Sequence, residues 1–272
     1  MPIDRITDSD DPRVADFRAL PDAVLLRERN VFVAEGRLVV KRLLRATRFR
    51  PRSLLVTKAA LIALEHELAI YPGVVPVYLA TPDLIERICG FKFHRGCLAI
   101  GERPAPLAMD KILGGVSLHN LLVVAERISD ADNVGSIFRN ASAFGAAAVV
   151  LSKGCCDPLY RKALRTSMGA CLQVPFTILN DWPGGLDILR RCGYYLVALT
   201  TDTKASPLER FMIPTETRGV ALLFGSEGDG LSESVLAWAD SSLRINIETT
   251  VDSLNVATAS AVALYHLRGL MH

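Results

Sequence analysis

Arg139, Glu227 and Asn255 are polar residues in settings that packing alone does not require. Arg139 closes the stretch Asn133-Val-Gly135-Ser-Ile-Phe-Arg139, which runs on to Phe144-Gly145. Asn133 is suited to cap a helix, Gly135 lets a ligand or backbone come close, and Arg139 would project from the second turn. A guanidinium there offers a rigid fork of donors matched to phosphate. It stays protonated near neutral pH, so its chemistry is binding and charge stabilisation. The alternative is an ordinary surface arginine. Glu227 lies in Phe224-Gly225-Ser-Glu227-Gly-Asp-Gly230-Leu231. Glycines in such a turn allow positive φ and close approach to a ligand. The spacing matches neither the dinucleotide fingerprint nor a P-loop, and taken alone it reads as a tight surface turn with a solvated carboxylate. In Ser253-Leu-Asn255-Val256, both Ser253 and Asn255 stand where a cap belongs, ahead of the apolar run 256–267. Capping accounts for one of them and hardly for both.

Each of these motifs follows a stretch patterned as a strand. Strands are expected at 121–125, 147–151, 194–199, 219–224 and 242–247, with helices between them. That alternation predicts a parallel sheet covered on both faces. Strand ends followed by polar loops are how an open α/β sheet builds a ligand crevice. The N-terminal part is α/β as well. Helices are expected at 35–44, where Leu38, Val39, Leu43 and Leu44 share a face, at 59–69, and at 82–89 with Thr81 as N-cap and Pro82 first in the helix. Strands are expected at 53–56, 74–78 and 97–100. Pro104 and Pro106 mark a linker, dividing the chain into domains 1–105 and 106–272.

Composition narrows the class. The chain has 272 residues, half of them hydrophobic, which supports two buried cores and argues against extensive disorder. Its opening is polar and acidic, unlike a secretory signal, and no apolar run is long enough to span a bilayer. Six cysteines without a Cys-x-x-Cys form neither a disulfide framework nor a zinc ribbon, and the cytoplasm is the simplest location. No metal-ligand spacing is present; of the five histidines, His94 beside Arg95 alone has a suggestive setting. Residues 1–105 carry 17 Lys and Arg against 13 Asp and Glu, and residues 37–58 hold eight basic residues and no acidic one. Such a block, including Arg37, Lys41 and Arg45, either neutralises a nucleic-acid backbone or forms a solvated helix face and loop. The group Asp157, Arg161, Lys162 and Arg165 leaves the same choice, a basic rim for RNA or internal pairing.

The order and spacing of the three motifs resemble the SpoU (TrmH) family of RNA ribose 2'-O-methyltransferases, within the SPOUT superfamily. A fourth stretch adds to the likeness: Leu151-Ser152-Lys-Gly154-Cys-Cys-Asp157-Pro158, then Arg165-Thr-Ser167-Met-Gly169-Ala170. The N-terminal third resembles the small L30e-like RNA-binding domain that many members place first. The resemblance implies a parallel-sheet SPOUT domain with a C-terminal trefoil knot, which nothing in composition or periodicity could predict. It implies S-adenosylmethionine as cofactor, no metal, a homodimer, and structured RNA as partner, ribosomal RNA before transfer RNA. Carried onto this chain, it places Asn133, Arg139, Glu227, Ser253 and Asn255 in the catalytic set. Leu223, Gly225, Gly230, Ile245, Ile247, Thr249 and Leu254 would line the cofactor, and Arg37, Lys41, Arg45, Arg161 and Arg165 would meet RNA. Arg139 would engage the target ribose and promote loss of its 2'-hydroxyl proton, or hold the adjacent phosphate and orient the hydroxyl. The chain departs from the family pattern at Asn246, at Thr249, where glycine is usual, and at Ala257, where serine is common. A β-branched residue resists positive φ and adds bulk near the adenine. A rival reading is therefore an RNA-binding protein on the same fold with weakened or lost transfer activity.

Overall fold

The apolar runs of the C-terminal half are too hydrophobic to face water and can satisfy their backbone groups only against one another. In a computed structural model describing residues 3–18, 21–90, 92, 96–114 and 120–271, they pair accordingly. The elements, in chain order, are β1 (Ile3–Arg5), α1 (Asp22–Glu28), β2 (Val31–Glu35), α2 (Arg37–Arg45), β3 (Arg50–Val56), α3 (Lys58–Ile70), β4 (Val77–Leu79), α4 (Pro82–Cys89) and β5 (Cys97–Glu102). There follow α5 (Met109–Gly114), β6 (Asn120–Ala125), α6 (Ala131–Ala143), β7 (Ala148–Ser152), α7 (Arg161–Thr166), β8 (Phe176–Leu179), α8 (Asp187–Arg191) and β9 (Tyr194–Leu199). The last are β10 (Ser206–Pro207), β11 (Gly219–Phe224), α9 (Glu233–Leu236), β12 (Ser241–Arg244) and α10 (Val256–Leu270).

The chain divides into two compact units, the first being Met1–Ala105 with Pro158–Gln173. Its sheet runs β1-β4-β3-β5-β2, with β5 antiparallel to both neighbours and β4 parallel to β1 and β3. Val31, Leu55, Ile85, Leu98 and Ile100 are among its core residues. The helix α7, expected with the second domain, clusters here: the Arg161 amide donates to Asp22 at 2.9 Å, and Arg165 lies 3.8 Å from Glu35. The helix expected from residue 35 begins only at Arg37, because Gly36, at φ 92°, breaks it from β2. Helix α4 forms where expected, with the Thr81 hydroxyl accepting from the Leu84 amide.

The second unit is Pro106–Asp157 with Val174–His272. Its seven-stranded sheet runs β10-β12-β9-β11-β6-β7-β8, and every neighbouring pair is parallel. All strand carboxyl ends therefore share one edge. From β6 the chain steps outward to β7 and β8, then returns to place β9 on the far side of β11. The loops after β6 and β11 thus sit side by side where strand order reverses, the position at which such sheets hold ligands.

The last strand is shorter than expected. Pairing stops at Arg244, so Ile245 and Ile247 belong to a loop. The alternation Leu243, Ile245, Ile247 continues past the point where partners run out: β9 ends opposite Leu243, and β10 ends at Pro207, which has no amide hydrogen. His94 and Arg95 lie outside the described residues. Among the described residues no helix is long and apolar enough to cross a membrane, and no cluster of His, Cys, Asp and Glu is arranged to hold a metal.

Candidate active site

Helix α6 is capped by Asp130 and not by Asn133. The Asp130 carboxylate accepts from the amides of Asp132 at 2.6 Å and Asn133 at 3.3 Å. Asn133 therefore lies within the first turn, buried, with its side chain available for a tertiary contact. Arg139 falls in the third turn, later than expected. It is exposed and pairs with no carboxylate among the described residues.

The turn after β11 is built by close backbone approach. A Cβ on Gly225 would sit 2.0 Å from the Gly230 carbonyl carbon and 2.2 Å from the Leu231 nitrogen. No side chain fits there. The turn closes with the Gly230 amide donating to the Ser226 carbonyl at 3.0 Å, and Gly230 has φ 69°. The buried Ser226 hydroxyl has no partner among the described residues, although buried hydroxyls ordinarily find one.

Asn255 joins the three motifs. Its Oδ1 caps α10, accepting from the amides of Ala257 at 2.9 Å and Thr258 at 3.3 Å. Its Nδ2 donates to Asn133 Oδ1 at 2.9 Å and to Glu227 Oε1 at 2.6 Å. One side chain thus uses both ends, fixing the loop after β11 to the starts of α6 and α10. Asn255→Ala should lower stability by about 0.5–2 kcal/mol through loss of the cap, and Asn255→Ser should recover most of that. Chemical denaturation of the two variants would separate capping from the link to Glu227, which serine is too short to restore.

Ser253 is exposed and takes no part in this junction. Leu223 is buried in β11, while Ile245, Ile247 and Leu254 are half-buried in or beside the loop between β12 and α10. Thr249 occupies a turn in that loop and is exposed; the non-glycine residues with positive φ are Asn30, Arg127 and Met168, so its backbone is one that threonine accepts. Asn246 has a role of its own, accepting from Arg244 and donating to Glu209 at 3.3 Å. Burial raises the thiol of Cys155 and pushes those of Cys89 and Cys97 up to about 12.

In the first unit the basic residues divide. Lys41 and Arg45 converge on one oxygen of buried Glu67, at 3.3 and 2.7 Å. Arg37 and Arg165 instead share a cleft of about 220 Å³ with Gly36 and Met168.

Sequence reasoning missed two polar links. Asn140 donates from α6 to the Ala257 carbonyl at 2.8 Å and to the Ser260 hydroxyl at 2.9 Å, tying α6 to α10. The available signal was spacing: Asn133 and Asn140 are seven apart, within about 20° on a helix. Glu126 is the other. Only 3 % exposed, it accepts from Trp182 and Ser232.

With three polar motifs meeting at the carboxyl edge of an all-parallel sheet, the comparison with known proteins is decisive. The model of the SpoU rRNA Methylase family matches residues 120–265. The chain belongs to the SpoU rRNA methylase family. A Mycobacterium tuberculosis protein described as an uncharacterized tRNA/rRNA methyltransferase is 40% identical, over 97% of this chain and 91% of its own. The 23S rRNA (guanosine(2553)-2'-O)-methyltransferase RlmP of Bacillus subtilis is 26% identical, over 97% of this chain and 99% of its own. Among solved structures, the AdoMet-bound rRNA methyltransferase of Sinorhizobium meliloti is similar at a TM-score of 0.79 and 25% identity, covering 98% of each chain. The SpoU match begins at β6, and all three motifs that meet at Asn255 lie inside it.

Proposed function

We propose that this SpoU-family methyltransferase methylates the ribose 2'-hydroxyl of a structured RNA, ribosomal RNA before transfer RNA, with S-adenosylmethionine as donor. The observations that carry the reading are the junction of Asn133, Glu227 and Asn255 and, two turns further along α6, an exposed Arg139 with no carboxylate partner among the described residues. The SpoU relatives named as 2'-O-methyltransferases of 23S rRNA support the choice of hydroxyl and of RNA.

The residues present fit the cofactor. A Cβ on Gly228 or Gly230 would meet nothing within 4 Å, so the turn's backbone is open to a ligand there; the Ser226 hydroxyl lacks a partner among the described residues, and half-buried Ile245, Ile247 and Leu254 offer apolar wall. The bound sulfonium supplies an activated methyl group, so the protein's task is alignment of the 2'-oxygen. Arg139 holds the phosphate beside the target ribose and orients its hydroxyl. Its fixed positive charge also stabilises the oxygen as its proton passes to solvent late in methyl transfer. Asn255 holds Glu227 and the glycine turn in register with α6. The reading includes the trefoil knot implied by the family. It includes a homodimer, supported by exposed Val262 and Tyr265 on α10. It keeps the RNA-docking role for the first unit, where exposed Arg37 is better placed than Lys41, Arg45 and Arg165, which pair with buried Glu67 and Glu35.

The rival reading of an RNA-binding protein without transfer activity is weakened, since Thr249 carries no positive φ and Asn246 is hydrogen-bonded to Arg244 and Glu209. Thr249→Gly should change S-adenosylmethionine affinity by less than about twofold, the ordinary size for an exposed substitution. Calorimetry checks it, and a large gain would revive the rival. For the substrate, the purified protein incubated with methyl-labelled S-adenosylmethionine should label deproteinised ribosomal RNA and not bulk transfer RNA. Label confined to transfer RNA would overturn that preference.

A further inference from the structure

Glu126 directly follows β6 and is placed to grip the cofactor turn at both ends. Its backbone amide donates to the Phe224 carbonyl at 2.8 Å, on the last residue before the turn. Its side chain takes hold of the first residue after it: Oε2 accepts from the Ser232 amide at 2.8 Å, and Oε1 from the Ser232 hydroxyl at 2.8 Å. Oε1 also accepts from the Trp182 indole at 2.9 Å, so the carboxylate cannot swing away. Ser232 in turn caps α9, its hydroxyl accepting from the Val235 amide at 3.3 Å. A carboxylate that is 3 % exposed is costly unless its oxygens are satisfied, and here three donors satisfy them. The neighbouring Arg127 reaches the turn only through an exposed contact of 4.0 Å to Asp229, which adds little.

We infer that Glu126 is a positioning residue: it fixes the span between Phe224 and Ser232 and so holds the 225–231 turn in the shape that binds the cofactor. The inference rests on the methyl-transfer reading above. Glu126 itself touches neither substrate nor cofactor. A glutamine cannot replace it, because its single amide oxygen serves only one edge. In either orientation the NH2 group faces an N–H donor, that of Trp182 or of Ser232.

The test compares the full-length parent with Glu126→Gln and Ser232→Ala, which loses the hydroxyl but keeps the amide to Oε2. Calorimetry gives the affinity for S-adenosylmethionine, filter binding the affinity for total ribosomal RNA, and scanning calorimetry the melting temperature. Glu126→Gln should weaken S-adenosylmethionine about tenfold or more while RNA affinity stays within about twofold, with Ser232→Ala shifted the same way by less. Variants that bind S-adenosylmethionine as the parent does would overturn the inference. So would equal loss of both affinities, the mark of a merely structural role. Should Glu126→Gln fail to fold, Ser232→Ala decides by the same criterion. A parent that does not bind S-adenosylmethionine removes the methyl-transfer reading itself, and the inference with it.

Discussion

Arg139→Ala should remain folded, bind S-adenosylmethionine as the parent does, and transfer methyl about a hundredfold more slowly or worse. The two halves of that expectation have separate causes. Arg139 is exposed on the third turn of α6 and has no carboxylate partner among the described residues, so its removal breaks no ion pair among them. Stability should then change by no more than about 0.5 kcal/mol. The rate falls because a preorganised charge aimed at the reacting oxygen is lost, and removing one such donor typically costs about 100–1,000-fold. Arg139→Lys should recover only part of the rate. Lysine keeps the charge but not the planar fork that can grip a phosphate by two hydrogen bonds. Single-turnover kinetics at saturating cofactor would isolate the effect. An Arg139→Ala enzyme with parental rates would show that the residue belongs to the surface and not to the site.

Gly225→Ala should weaken cofactor binding more than any other single methyl addition in the turn. The new Cβ would meet the Gly230 carbonyl and the Leu231 nitrogen at 2.0–2.2 Å, and all are backbone atoms that cannot rotate aside. Overpacking of this kind costs about 1–3 kcal/mol or more. If 3 kcal/mol falls on the binding-competent shape of the turn, apparent affinity drops roughly 150-fold. Gly228→Ala is the control. It meets no atom within 4 Å and suffers only from φ 92°, a penalty of about 1–2 kcal/mol. Calorimetric titration of both variants should rank Gly225 well above Gly228, and the reverse ranking would show that conformational freedom, not close approach, is the need at this turn.

The motifs and the strands that carry them were legible because local pattern and tertiary role agree there. The 219–224 run is buried along its whole length and ends at the glycine turn, as its composition requires. Capping was legible in kind, though not in place: Asn255 caps α10, while Asp130 takes the position expected of Asn133. Elements held mainly by partners were not legible. Strand β1 is three exposed residues paired to β4, and β10 is two residues beside β12, too short for any periodicity to register. The end of β12 was misplaced because apolar alternation outlasts the strands it pairs with. The deepest polar contacts were hidden for another reason. Glu126 meets Ser232 across 106 residues and Trp182 across 56, and Asn140 meets Ser260 across 120. No window along the chain contains both ends of such a pair. The basic block illustrates the limit of charge counting, since Lys41 and Arg45 serve buried Glu67 while Arg37 lines a cleft.

The most direct measurement is the position of the transferred methyl group. Ribosomal RNA treated with the protein and labelled S-adenosylmethionine would be hydrolysed with alkali and separately digested to nucleosides for mass spectrometry. The account predicts label in alkali-resistant dinucleotides and a 2'-O-methylnucleoside, both lowered about a hundredfold or more with Arg139→Ala over the same short reaction time. Label on a base, with the phosphodiester beside it still cleaved by alkali, would contradict it.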